Sequence, residues 1–218
     1  MGAISLFRPI LVGLVSRQVE QTMTLNTDSS ADIRSALRVP LSMSHVGLYV
    51  HDLQKMEDFY TRVLGFTVTD RGKVRGADIV FTSWDPKDHH QVALVGGRPK
   101  ELAFNHINQI SFRVTSVEEL QAIWQRVKDE SDVRDMRPID HGNAWSLYFL
   151  DPEGNRLEVF CDTEWYIAQP CLEDLNLAQP ADQIRAKSEA FCRRAPGFKP
   201  IGQYRAELAA KMGLSNDS

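Results

Sequence analysis

Two related stretches of the sequence each begin with a side chain that can bind a metal ion or a polar ligand. The stretch 44–50 reads SHVGLYV, and the stretch 108–114 reads NQISFRV. Aligning Val50 with Val114 places His45 over Gln109. Such a repeat predicts two structural modules with one site between them, whose function depends on what His45 and Gln109 bind.

A carboxylate later in the chain is the third candidate for this site. Glu158 lies between Leu157 and Val159, and successive side chains of a strand point to opposite faces. A carboxylate that points inward is costly unless it is paired or bound to a metal. His106 lies three residues before Gln109, and an odd offset in a strand points to the other face. His106 is therefore the alternative to Gln109 only if a β-bulge intervenes.

Three further histidines have a side chain suited to proton transfer near neutral pH. His89 and His90 follow the turn that begins at Asp85-Pro86, and His141 lies in a His-Gly-Asn segment. Each of them also has a structural interpretation, as a solvated hairpin pair or as a turn residue. His45 also has a structural interpretation, as a core or edge residue, and Gln109 has one as a hydrogen-bonded core amide.

The elements that would position these residues repeat in order. In the first half, alternating apolar residues predict a strand up to Val50, and apolar spacings of three and four predict a helix from Leu53 to Val63. Three more strands are predicted near residues 67–70, 77–84 and 91–95. In the second half, the same pattern predicts a strand at 109–114, a helix at 117–128 and strands near 135–139, 146–150 and 156–160. The predicted fold is α+β: two paired βαβββ modules that form a cupped, half-open mixed β-barrel with outer helices.

The ends of the chain fall outside these two modules. Residues 1–41 are predicted to be an N-terminal extension that is poorly ordered at its start. Residues 42–170 are predicted to be one domain, with modules at about 42–100 and 104–162. Residues 171–218 are predicted to be a helical extension, with helices near 181–194 and 203–212. This extension would pack on the outside of the barrel or on a partner subunit, or it would form a lid over the cup.

Composition excludes several classes of partner. The net charge is −4 and no basic stripe is present, which argues against nucleic-acid binding. The apolar run at residues 6–15 is too short to span a membrane, which needs about 20 apolar residues. Three cysteines are an odd number and have no zinc-site spacing, which favours a reducing, cytoplasmic location.

Two motifs give the chain a family resemblance. The stretch 44–50 and the stretch 148–158, which reads YFLDPEGNRLE, resemble the vicinal oxygen chelate superfamily of glyoxalases, bleomycin-resistance proteins and extradiol dioxygenases. The resemblance covers about residues 42–170. The segments 88–90 and 140–143, together with Tyr148, are most similar to small, single-domain relatives of the type I extradiol dioxygenases, which act on 2,3-dihydroxybiphenyl or catechol.

The resemblance implies a role for each candidate residue. His45 and Glu158 match metal ligands, and Gln109 stands where the dioxygenases have a second histidine. His90 matches an acid/base residue that lines the substrate site, while His141 and Tyr148 match residues that position the substrate. An amide oxygen is a harder and weaker ligand than imidazole, and it suits Mg, Mn or Ca better than iron. Iron with an altered ligand set, another divalent ion and a site without metal therefore all remain open.

The implied reaction is the cleavage of an aromatic vicinal diol beside its hydroxyl groups with O2. The implied metal cofactor is Fe(II), and the alternative is Mn(II) or another divalent cation. The resemblance also implies a homodimer. Two alternatives remain: a glyoxalase-like, metal-dependent lyase or isomerase, and a non-catalytic binding protein with a degenerate metal site. Candidates for an apolar wall against the substrate ring are Val80, Trp84, Val92, Trp145 and Phe149.

Overall fold

The computed structural model describes residues 41–101 and 105–214. The first module consists of β1 (Val46–Val50), α1 (Leu53–Asp58) continued by a π-helical turn (Phe59–Val63), β2 (Thr67–Val74), β3 (Ala77–Ser83) and β4 (Val92–Gly96). The second consists of β5 (Ile110–Arg113), α2 (Val117–Val127), β6 (Arg134–Asp140), β7 (Ala144–Leu150) and β8 (Arg156–Asp162). The C-terminal region adds β9 (Trp165–Tyr166), β10 (Glu173–Asp174), α3 (Ala181–Cys192), β11 (Lys199–Pro200) and α4 (Ile201–Lys211).

Both modules have the same strand pairing. In the first sheet the order is β1-β4-β3-β2, with β1 parallel to β4 and β3 antiparallel to it. In the second sheet β5 is parallel to β8, β7 is antiparallel to β8, and the order is β10-β6-β7-β8-β5. Within the described residues the strands form open sheets and no closed barrel. The predicted α+β fold of two βαβββ modules is confirmed.

Local sequence signals begin and end the two module helices. Asp52 accepts a hydrogen bond from the Lys55 amide and caps α1, and Ser116 caps α2 through the Glu119 amide. Gly65 follows the π-helical turn with a φ of 81°, a conformation that glycine adopts without a side-chain clash. The first module helix is therefore stopped where the chain turns back toward its sheet.

The helices cover one face of the sheets, and this face forms the hydrophobic core. Leu48, Leu94 and Val80 are register partners across the first sheet, and they are buried together with Met56 of α1. The residues one position along each strand point to the opposite face. That second face carries Gly47, Ala93 and Phe81 in the first module. In the second module it carries Ser111, Glu158 and Tyr148.

The C-terminal region packs against the outside of the second module. The Gln121 side chain of α2 donates hydrogen bonds to the carbonyls of Leu177 and Gln179, and Arg185 of α3 forms an ion pair with Glu118 at 2.7 Å. Strand β10 pairs with β6 and thereby extends the second sheet. These contacts agree with the predicted packing of the C-terminal helices against the two-module fold.

Some predictions fall on residues that the structure does not describe. The predicted N-terminal extension, except for Leu41, and residues 215–218 lie outside the described residues. The boundaries at 42, 170 and 171 stay predictions. No helix within residues 41–101 and 105–214 is long and apolar enough to span a bilayer.

Candidate metal and substrate site

Glu158 is the centre of a polar cluster on the face of the second sheet opposite the core. Register places Ser111, Glu158 and Tyr148 side by side on β5, β8 and β7. The Glu158 carboxylate is buried, with 7% of the residue exposed. The Gln109 amide donates to its Oε2 atom at 2.9 Å, and the Ser111 hydroxyl donates to the same atom. The hydrogen-bonding groups on this buried carboxylate are therefore neutral.

Tyr148 and His141 extend the cluster toward the C-terminal region. The His141 Nε2 atom lies 3.0 Å from the Tyr148 hydroxyl, and its Nδ1 atom lies 2.7 Å from the Cys171 carbonyl oxygen. Because a carbonyl only accepts, Nδ1 must carry a hydrogen, and in the tautomer with its hydrogen on Nδ1 the Nε2 atom accepts from Tyr148. Burial raises the pKa of Tyr148, and the neighbouring Glu158 carboxylate raises it further. The phenol therefore stays protonated at neutral pH.

His45 and His90 form a second cluster, in the first module. His45 lies immediately before β1 and is exposed, and its ring centroid is 4.2 Å from that of His90. The Nδ1 atoms of His89 and His90 are 2.9 Å apart, and Phe81 packs against both rings. The pKa of His90 is lowered, first by burial and then by the charges of His45 and His89. His90 is therefore neutral at pH 7 and can accept a proton.

The structure thus collects the predicted residues in two clusters. Glu158, Gln109, Tyr148 and His141 share one network of contacts, and His45 contacts His90 in the other. His106 lies in the exposed segment before β5, beside a cavity of about 160 Å³ that Gly47 and Ile110 also line. This cavity lies between the first strands of the two modules.

The donor groups fit a divalent cation. A buried carboxylate with neutral neighbours gains from a positive counter-charge, and imidazole, carboxylate and amide oxygen all bind such ions. Within the described part of the chain, no three His, Cys, Asp or Glu side chains are grouped closely enough to hold a metal. A site that uses His45 and Glu158 therefore needs a ligand of another type, and Gln109 is already in contact with Glu158.

The prediction of an apolar wall against the substrate ring is wrong for most of the residues named. Val80, Val92, Trp145 and Phe149 belong to the hydrophobic core on the face that the helices cover. Trp84 is exposed, and its indole nitrogen donates to the Leu64 carbonyl. An alternating strand has two faces, and the apolar residues of β3, β4, β7 and β8 are too continuous to show which face is covered.

Two residues of the clusters were not predicted. Ser111 lies two positions after Gln109, so the same strand periodicity that oriented Gln109 also places Ser111 on its face. Phe81 lies on the same face as Ala93 and packs against His90. The signal for Ser111 was present in the alternation of β5, whereas Phe81 required the register of β3 against β4.

Comparison with known proteins agrees with this arrangement. Residues 42–159, more than half of the chain, match the family model described as "Glyoxalase/Bleomycin resistance protein/Dioxygenase superfamily". The chain is 28% identical over 123 residues to biphenyl-2,3-diol 1,2-dioxygenase 2 of Rhodococcus globerulus, a match that covers 55% of this chain and 62% of that protein. It is 32% identical over 127 residues to metapyrocatechase of Pseudomonas sp. (strain CF600), covering 56% of this chain and 39% of that protein. The chain thus matches less than two thirds of the length of either relative.

A solved structure supports the same fold. The glyoxylase/bleomycin resistance protein/dioxygenase domain from Frankia sp. EAN1pec superposes with a TM-score of 0.51 at 23% identity, covering 58% of this chain and 95% of that chain. At this identity the likeness concerns the fold alone. The duplicated modules and the match over residues 42–159 place the chain in the Glyoxalase/Bleomycin resistance protein/Dioxygenase superfamily.

Proposed function

We propose that this protein is a metal-dependent extradiol dioxygenase, which cleaves an aromatic vicinal diol beside its hydroxyl groups with O2. The observation that carries the proposal is the buried Glu158 carboxylate, held by Gln109 and Ser111 beside the Tyr148–His141 pair. The names of the two dioxygenase relatives support the same reaction class.

His45, Glu158 and the Gln109 amide oxygen are the proposed metal ligands, with His106 as the alternative to Gln109. Fe(II) is the first candidate, and Mn(II) or another divalent cation is the second. Such a cation, when bound, lowers the pKa of the diol hydroxyls and orients both oxygens. The burial of Glu158 keeps water from competing for its carboxylate.

The remaining residues handle protons and orient the substrate. His90 is neutral at pH 7 because burial lowers its pKa, so its ring can accept a proton from a substrate hydroxyl. The Cys171 carbonyl fixes the orientation of His141, and His141 in turn fixes the Tyr148 hydroxyl. Tyr148 stays protonated, so its hydroxyl can turn its one hydrogen from His141 Nε2 to an oxygen of the bound substrate.

The direct test is oxygen uptake by protein that has been purified anaerobically and loaded with Fe(II). Catechol or 2,3-dihydroxybiphenyl should consume one O2 per diol and give a yellow product. We expect His90→Gln to lower kcat about 10²-fold or more at unchanged metal content, whereas the exposed His51, which lies in neither cluster, provides the control variant His51→Gln. No oxygen uptake with any diol and any divalent cation would reject the proposal.

A glyoxalase-like lyase or isomerase is the second candidate, because Gln109 offers an amide oxygen in place of an imidazole. Such an enzyme needs the metal chelate but consumes no oxygen, so oxygen uptake separates the two reactions. A binding protein with a degenerate site is the third, and it should take up no metal. Assembly as a homodimer stays a prediction.

A further inference from the structure

A guanidinium group lies on the same face as Glu158, one step along the same strand. Arg156 and Glu158 are separated by two positions on β8, so both side chains leave the sheet on one face, and Leu150 is the partner of Arg156 on β7. Two residues of strand correspond to about 7 Å. That distance is comparable with the width of a benzene ring that carries a substituent at each end.

A cavity opens at this point of the face. It has a volume of about 260 Å³, and its lining includes Arg156, Leu150, Asn105, His106 and Asn108. Arg156 is the charged guanidinium of this lining, and Asn108 supplies an amide group that can donate a hydrogen bond, whereas the Asn105 amide already donates to the Gly154 carbonyl. Leu150 supplies an apolar surface next to them. The cavity therefore combines a surface for a ring with donors for an anion.

A carboxylate outside the cavity holds Arg156 in place. Asp135 accepts from the Nη2 atom of Arg156 at 2.8 Å, and it also forms an ion pair with Arg137 at 2.6 Å. These contacts lower the pKa of Asp135, so its charge persists at neutral pH. Two guanidiniums share one carboxylate, and the group keeps a net positive charge on a protein whose overall charge is −4.

We infer that the cavity at Arg156 binds a carboxylate on the substrate, so that the substrate class is an aromatic vicinal diol with an acidic substituent. This inference rests on the proposed function for its diol, but the carboxylate subsite is a separate claim. A guanidinium binds a carboxylate through two parallel, charge-assisted hydrogen bonds, and an unsubstituted catechol has no carboxylate to make them. The diol oxygens would lie next to Glu158, and the carboxylate would lie next to Arg156.

The test compares anaerobic binding of 3,4-dihydroxybenzoate and catechol by calorimetry at pH 7. We expect the wild-type protein to bind the carboxylated diol at least tenfold more tightly. Arg156→Gln should abolish this preference while leaving the affinity for catechol within about threefold. Arg156→Lys keeps the positive charge, so it should retain a preference, and thermal melts verify that both variants are folded.

Arg113→Gln is the matched control. Arg113 lies on the same face of the sheet, two positions after Ser111. It packs over the ring of Phe160, which lies on the other side of Glu158 from Arg156. We expect this variant to keep the full preference for the carboxylated diol. Equal wild-type affinities for the two ligands, or a preference that survives in Arg156→Gln, would overturn the inference.

Oxygen uptake separates this claim from the proposed function. If catechol is oxidised but the carboxylate gives no advantage in binding, the dioxygenase proposal stands and the subsite fails. If 3,4-dihydroxybenzoate binds in an Arg156-dependent manner but no diol consumes oxygen, the subsite stands and the dioxygenase proposal fails.

Discussion

Gln109 is the residue that separates this site from a pattern of two histidines and one carboxylate. Its Nε2 atom donates to Glu158 and to Ser111, at 2.9 and 3.1 Å. A cation at the Glu158 carboxylate would repel this amide group and attract the opposite end of the side chain, the Oε1 atom. Binding of a metal by Gln109 therefore requires the amide to turn over and to exchange these two hydrogen bonds for a bond to the ion.

Replacement of Gln109 by histidine tests this role. The Gln109→His variant should bind Fe(II) at least about tenfold more tightly than the wild type, because imidazole is a better ligand for iron than an amide oxygen. Anaerobic competition titrations with a coloured chelator would measure the affinity, and Gln203→His on α4 is the remote control. Unchanged Fe(II) affinity in Gln109→His would show that residue 109 does not face the ion.

Sequence patterns predicted part of this chemistry and missed the rest for a physical reason. The repeat that aligns Gln109 with His45, together with the family resemblance at Glu158, was enough to assign both residues to one site, and the Gln109–Glu158 hydrogen bond agrees with that assignment. The contact between the His45 and His90 rings depends on how the hairpin before β4 folds back over β1. Contacts of this kind join distant parts of the chain, and no local pattern encodes them.

At the scale of elements, the turn that joins β7 to β8 connects the two modules. The Glu153 carboxylate accepts hydrogen bonds from the amides of His51 and Asp52, at 2.7 and 2.8 Å, where α1 begins. Glu153 also forms an ion pair with Arg98 at 3.5 Å, and both side chains are at most 10% exposed. The second module therefore holds the junction between β1 and α1, close to the segment that carries His45.

Removal of the Glu153 carboxylate should destabilise the protein strongly. Glu153→Ala leaves the buried Arg98 guanidinium and two backbone amides without this partner, and we expect the free energy of unfolding to fall by about 3 kcal/mol. Urea denaturation followed by circular dichroism measures the change. Glu130→Gln is the comparison, since Glu130 pairs with the half-exposed Arg62 and should cost less than about 1 kcal/mol. Similar losses for both variants would contradict this role.

Gly142 fixes the contact between the His141 segment and the C-terminal region. Its φ is 77°, and an added Cβ would lie 2.3 Å from the Ile167 Cδ1 atom. Gly142→Ala should therefore lower the free energy of unfolding by about 2 kcal/mol or more, through backbone strain and overpacking together. Gly76 has a φ of 86° with open space around it. Gly76→Ala should therefore lower the free energy of unfolding through backbone strain alone, by about 1 kcal/mol. Equal melting temperatures of the two variants would contradict the packing argument.

The elements with a clear period could be predicted from the sequence, and the shortest ones could not. The predicted helix at 117–128 corresponds to α2 at Val117–Val127, because its apolar residues recur at three and four. Strands β9, β10 and β11 have two residues each, which is too short for any periodicity to register. Their pairing depends on tertiary contacts, such as that of β10 with β6.

At the scale of the molecule, the core extends from both modules into the C-terminal region. Ile184 and Cys192 of α3 are buried in the same hydrophobic core as Leu120 of α2 and Cys161 of β8. Within the described residues, the C-terminal region therefore shares the hydrophobic core of the two modules. Its integrity can be followed through the cysteines.

The thiols report on this packing through their pKa values. Burial raises the pKa of Cys161 to about 12 and that of Cys192 to about 11. At pH 8 the thiolate, which is the reactive form, is then about one part in a thousand or less of each of these two cysteines. We expect both thiols to react with Ellman's reagent at least about 100-fold more slowly in the native protein than in denaturant, and the rate to rise as pH increases toward these values. Fast labelling of all three cysteines at pH 8 would contradict the burial of α3.

The central claim is that Glu158, His45 and Gln109 bind one divalent cation. Elemental analysis after anaerobic loading with Fe(II) or Mn(II) and removal of free metal tests it most directly. We expect about one equivalent of metal per chain in the wild type, and at least about a hundredfold weaker binding in Glu158→Gln. Glu118→Gln, which removes an exposed carboxylate paired with Arg185, should keep the full equivalent. A wild-type protein that retains no metal, or a Glu158→Gln variant that retains as much as the wild type, would contradict the claim.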